Sequence, residues 1–164
     1  MFALRYAALV AIALWAGGLI ILGAVAAPSI FHVLAARGLA DHRVVGGAVF
    51  GEVLRRFHLV AYGCAGVLFL SLLLRAVLGP RPAYFGVRFA IFALMLIATL
   101  YSGLVLSTRV ERARTAAGGA PSLLEPSDPR RLEFDRLHQF STMLQLLPVA
   151  GGLALLFWEA RDPL

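Results

Sequence analysis

Residues 6–31 read YAALVAIALWAGGLIILGAVAAPSIF, twenty-six residues without a single charge. A hydrocarbon core about 30 Å thick is crossed by about 20 apolar residues, since an α-helix rises about 1.5 Å per residue. The stretch is long enough to span a bilayer. Three more follow, Phe57–Leu74, Phe89–Thr108 and Gln139–Trp158, of 18, 20 and 20 residues, and all fifteen arginines fall outside the four. The expected fold is all-α, a polytopic membrane four-helix bundle in which residues 1–164 form a single membrane domain. With helix ends included, the spans are expected at about 6–31, 57–78, 86–108 and 137–158.

Composition agrees with this layout. Hydrophobic residues make up 60% of the chain and mean hydropathy is +0.84, well above a soluble domain's share of about 45–50% apolar residues. The net charge of +6 comes from arginine alone, with no lysine. The arginines flank the spans, where they anchor helix ends to headgroups, so the expected partner is a lipid bilayer and not nucleic acid. Cys64 is the sole cysteine, which excludes an intrachain disulfide or a paired-cysteine metal site. Arg5 and Ala24-Val25-Ala26 have the flavour of a signal peptide, but a signal core is about 7–15 residues long, so a retained first helix is expected.

Between the spans, Pro28-Ser29-Ile30-Phe31 leads into a polar connection from His32 to Arg43, after which Asp41 can cap a helix. The helical pattern from Val44 to Gly79 is too long for one perpendicular span. A short interfacial extension, Val44 to Arg56, is therefore expected before span two, bending near Gly46, Gly47 or Gly51. Gly79-Pro80-Arg81-Pro82 reads as a tight turn that makes spans two and three antiparallel neighbours. Ala116 to Pro121 reads as a flexible loop. Ser127-Asp128-Pro129 places a cap and then a proline at the start of a second extension, before span four, and Pro148 with Gly151-Gly152 should kink or loosen that span.

Four spans put both termini on one side. That side collects Arg5, Arg75, Arg81, Arg88 and Arg161, and the other collects the remaining ten arginines. The expectation is an inner-membrane, multi-pass protein whose first and third loops are cytoplasmic.

Span one ends, span two begins, span three ends and span four begins at the same face, and that face gathers the unusual chemistry. His58, His138 and His32 lie at the boundary, with His42 in the adjoining loop. Tyr62 is one turn below His58. Ser102 and Arg109 share a stripe of span three, and Ser141 and Gln145 share one with His138. Histidines with hydroxyls and an amide can hold a metal or haem, carry protons, or bind a small polar molecule. The candidate ligand-binding set is His58, His138, Arg109, Ser141, Gln145, Tyr62 and Ser102, with His58 and His138 as candidate metal ligands. No HExxH, phosphate loop or GxSxG occurs, and none of the four apolar stretches carries a carboxylate, which argues against hydrolytic or nucleotidyl chemistry and an acid-based ion relay.

Leu14-Trp15-Ala16-Gly17-Gly18, Pro28-Ser29-Ile30-Phe31, Gly47 to Phe50 with Phe57-His58, and Phe134-Asp135-Arg136-Leu137-His138 with Ser141 together resemble the transmembrane protein 205-like family of four-helix membrane proteins. That resemblance implies His58, Arg109, His138 and Ser141 as a polar signature. Gln145 departs from it, standing where an asparagine looks typical, as do Ser107-Thr108 before Arg109. The Trp-x-x-Gly helix ending in Pro-x-x-Phe is also similar, more distantly, to the copper resistance membrane protein D family and to the haem-binding protoporphyrinogen oxidase family. Three functions follow. The first is a non-catalytic protein that binds or helps transport a small molecule or metal through a histidine-bearing cleft. The second is a haem-dependent oxidoreductase with His58 and His138 on the iron. The third is an assembly subunit, as a homo-oligomer or with a partner membrane protein, packing through Ala13, Gly17, Gly47 and Gly51.

Overall fold

The computed structural model describes residues 2–79 and 84–161. Four long helices, α1 (Phe2–Ala36), α2 (His42–Leu78), α3 (Phe85–Ala116) and α4 (Pro129–Arg161), are each long and apolar enough to cross a membrane. The described residues contain no strand. At 32 to 37 residues the helices reach about 48 to 56 Å, well beyond a hydrocarbon core of about 30 Å. This is a multi-pass membrane protein with helical ends that stand clear of the apolar zone.

The extensions expected before spans two and four are present, and each continues its span. Helix α2 is unbroken from His42 to Leu78, so the chain continues as helix through Gly46, Gly47 and Gly51, where a bend is expected. Gly46 instead admits the Phe31 ring, and Gly47 lies under the Arg114 guanidinium, whose Nη1 donates to the Val44 carbonyl at 3.1 Å. Asp41 sits at the N-cap of α2, but its side chain makes no capping bond. The Gly79–Pro82 turn lies largely outside the described residues. A Cβ added at Gly17 or Gly51, named above as packing positions, would meet nothing within 4 Å.

The helix of span one does not stop near Phe31. It runs to Ala36, through Pro28, by way of a π-helical turn at Leu22–Ala26. Proline lacks an N–H and its ring crowds the carbonyl four residues back, and a locally widened turn relieves both problems. The loop expected at Ala116–Pro121 is a tight reversal: Gly118 and Gly119 take left-handed φ angles of 75° and 82°. Their amides donate to the Thr115 and Arg114 carbonyls, closing the end of α3.

Asp128 caps α4 as expected, accepting the Arg130 backbone N–H on Oδ1 at 2.9 Å and the Arg130 guanidinium on both oxygens. The Arg130 side-chain bonds, reinforced by its backbone N–H, hold the Asp128 carboxyl at about 2, below its ordinary 3.8. A lowered folded-state pKa means the cap is fully in place above pH 3.8 and is lost as pH falls towards 2. The Arg130 amide resonance should therefore titrate with a midpoint near 2 in the wild type and stay flat in Asp128→Asn. A wild-type midpoint near 3.8 would contradict the cap.

In the bundle, α1 packs most extensively on α2 and α4, α4 also packs on α3, and the α2–α3 contact is smaller. Trp15 is fully buried at the centre, with Ala8, Ala11, Ile12, Ala61, Leu68, Phe92, Met95 and Leu155 around it. Small residues set the helix spacing. Gly151 faces Met95 and Ile91, and Gly152 faces Ala16, so these glycines let α4 approach its neighbours closely while the helix around Pro148 stays continuous.

Candidate functional site

One stripe on each helix points inward, and polar residues sit along it. On α2, beyond Gly46, the buried stripe runs from His58 through Ala61, Ala65, Leu68 and Leu72. On α3 Ser102 and Thr99 precede Met95, Phe92 and Arg88 in the same register. On α4 Gln145 is half-buried, followed inward by Pro148, Gly152, Leu155 and Glu159. Helices α3 and α4 thus bring polar groups to both ends of a common apolar core.

At the histidine end, Trp15, His58, Thr99, Ser102, Gln145 and Pro148 line a small cavity between the four helices. Its space for the centre of a water-sized sphere is about 10 Å³, roughly what one water molecule needs. His58 is buried, and its Nδ1 donates to the Leu54 carbonyl at 2.9 Å. A carbonyl only accepts, so Nδ1 carries the proton and Nε2 of the neutral ring is left as an acceptor. Trp15 Nε1, Thr99 Oγ1 and Tyr62 Oη are buried without a protein hydrogen-bond partner. Buried polar groups without partners are uncommon and costly, and here two of the three belong to residues lining one cavity.

A second π-helical turn, Tyr101–Leu106, lies where α3 meets this cavity. The Ser107 backbone N–H donates to the Ser102 carbonyl, and its hydroxyl proton is shared between the Ser102 and Gly103 carbonyls at 2.8 and 2.7 Å. Gly103 packs against the Tyr62 hydroxyl and the His58 ring: a Cβ there would come 2.7 Å from His58 Cδ2 and closer still to Tyr62 Oη. The Tyr62 hydroxyl is the far end of its side chain, but the His58 ring is held by its bond to Leu54, so Gly103→Ala should cost about 1 to 2 kcal/mol. Tyr62→Ala should restore part of that in a detergent unfolding titration, the His58 contact accounting for the rest. An additive double mutant would contradict the contact.

The sequence-derived set therefore divides. His58, Ser102 and Gln145 share the cavity, and Tyr62 stands beside it, its ring 6.1 Å from that of His58. His138 is exposed, its ring stacked on Phe134 at 5.6 Å, and Arg109 is exposed, while Ser141 is half-buried. None of these three lines the cavity. Among the described residues no group of three or more His, Cys, Asp or Glu is placed to hold a metal ion.

The opposite rim holds a cluster that sequence reasoning missed. Glu159 near the end of α4 is 2% exposed and Arg88 near the start of α3 is 1% exposed. Arg75 Nη1 lies 2.8 and 2.9 Å from the two Glu159 oxygens, and Arg88 Nη1 lies 3.0 Å from Oε1. Arg5 donates to the Glu159 carbonyl and sits 3.9 Å from its carboxylate. One acid thus ties the ends of all four helices.

A family model described as a domain of unknown function, DUF4149, matches residues 10–118. The chain belongs to the DUF4149 family. The family match takes in Trp15, His58, Tyr62, Thr99, Ser102 and Arg109, and stops short of α4 with His138, Ser141, Gln145 and Glu159. No curated protein and no solved structure is matched by this DUF4149 chain. The likeness to the transmembrane protein 205-like family rests on the short motifs alone.

Proposed function

We propose that this DUF4149 protein binds, and helps to move, a small polar molecule in the seam between its helices, entering from the histidine-bearing face. His58 Nε2, Ser102 and Gln145 supply the inner contacts. Tyr62 borders them, and Ser141, His138 and Arg109 line the approach. The observation that carries this reading is a cavity inside the bundle where His58, Ser102 and Gln145 meet the apolar Leu19, Phe57, Ala61 and Ala98, and where Trp15 and Thr99 bring unpartnered polar atoms. In a bilayer such groups are expensive unless they serve a ligand or a path. Among the described residues no three His, Cys, Asp or Glu gather to hold a metal ion, so the donors offered suit a neutral polar group better. By the arginine balance, this face is on the cytoplasmic side of an inner membrane.

The test is thermal unfolding of purified protein against neutral amides, alcohols and polyols, with divalent cations and haemin as competing classes. A specific ligand at 100 times its Kd adds about 2.7 kcal/mol. At least one neutral compound should raise the wild-type Tm, with the gain absent in His58→Ala and Gln145→Ala. A shift produced only by a cation or haemin, or retained in both variants, would overturn the proposal.

A further inference from the structure

We infer that the resting occupant of the His58 cavity is a single water molecule, held by the Trp15 indole N–H and the Thr99 hydroxyl. The inference takes from the proposed function only the reading that this cavity is the binding site. Three observations converge on it. The space is one water in size. Trp15 is 0% and Thr99 5% exposed, and both line the cavity. Trp15 Nε1 and Thr99 Oγ1 have no protein partner.

The donor and acceptor count fits one water. Indole N–H is a donor only, and a hydroxyl both donates and accepts. A water can accept from Trp15 and exchange one bond with Thr99. Its remaining proton then meets an acceptor among His58 Nε2, Ser102 Oγ and the Gln145 carbonyl, all belonging to residues of the same lining. Cavities lined by apolar groups alone stay dry, whereas those offering two to four polar partners hold water. This water would join α1 to α3 and close the polar seam that the protein's own side chains leave incomplete.

The water also defines the ligand that replaces it. Displacing an ordered water with a group that cannot reproduce its bonds loses affinity. The incoming molecule must present an acceptor to Trp15 and a donor or acceptor to Thr99, which describes a neutral hydroxyl or carboxamide compound. A hydrocarbon or a cation leaves the indole N–H unsatisfied.

The experiment is water-to-indole cross-relaxation NMR on detergent-solubilised, indole-labelled protein, with Trp158→Phe assigning the two indole signals. Trp15 Hε1 should show a cross-peak to water with the opposite NOE and ROE signs of a direct dipolar contact. Thr99→Val, nearly isosteric, should weaken it severalfold. No cross-peak, or one of pure exchange character, would overturn the inference. A cross-peak unchanged in Thr99→Val would overturn the bridge. These outcomes are separate from the ligand screen: a dry Trp15 with intact compound binding removes the water alone, and a bound water with no compound binding removes the ligand reading.

Discussion

Glu159→Ala lowers the stability of the bundle by about 3 to 5 kcal/mol, the cost of removing one partner from a buried ion pair. The carboxylate accepts from Arg75 and Arg88 at 2.8 to 3.0 Å, and Arg5 reaches the same residue. Removing it takes away a group on which α1, α2 and α3 converge at that rim. Glu159→Gln keeps an acceptor but loses the charge, so it should fall between wild type and alanine. The measurement is reversible unfolding in mixed micelles, followed by circular dichroism. A change in Glu159→Ala within about 0.5 kcal/mol, as for an ordinary surface substitution, would contradict the cluster.

Gly152→Ala is expected to cost close to 3 kcal/mol, the upper end for overpacking. A Cβ at Gly152 would lie 2.6 Å from the Ala16 Cβ. Unlike the Tyr62 hydroxyl opposite Gly103, an alanine Cβ has no torsion that moves it away. Relief requires α1 and α4 to separate, which strips contacts along both helices. Because Trp15 sits next to Ala16, the same separation should shift the Trp15 emission in a Trp158→Phe background. Ala16→Gly should recover most of the stability. Full stability in Gly152→Ala alone would mean the two helices are not in contact there.

The membrane fold was legible because it rests on a strong one-dimensional signal: four uncharged stretches, each long enough to cross a bilayer. Helix ends were less legible. Pro28 looked like a terminus, but a π-helical turn carries the helix past it, and no residue pattern announces such a turn. Gly46 and Gly47 looked like a hinge because a glycine's freedom is visible in sequence, whereas the Phe31 ring and Arg114 guanidinium that fill the space are not.

In the candidate site, helical register led to Gln145 and Ser102, which share the cavity, but the stripes drawn from them to His138 and Arg109 end at exposed residues outside it. The same register carried on through Pro148, Gly152 and Leu155 arrives at Glu159, and from Ser102 through Thr99, Met95 and Phe92 it arrives at Arg88. The acid was passed over because orientation depends on basic residues, and because Glu159 lies one residue beyond the apolar stretch. Trp15 and Thr99 were missed as site residues for a different reason. An indole or a threonine within an apolar helix is ordinarily core, and only the packing of four helices reveals which polar atoms lack partners.

The central claim is that the seam at His58, Ser102 and Gln145 communicates with water from the histidine face. The most direct measurement is reaction of single cysteines, in a Cys64→Ala background, with a small charged methanethiosulfonate reagent. Ser141→Cys and Gln145→Cys should be modified from that face alone, Ser141→Cys the faster. Leu146→Cys, although 61% exposed on the outer surface of the bundle, should stay unreactive because lipid covers it. If Gln145→Cys is as inert as Leu146→Cys, the seam is closed to water and the account of the site is wrong.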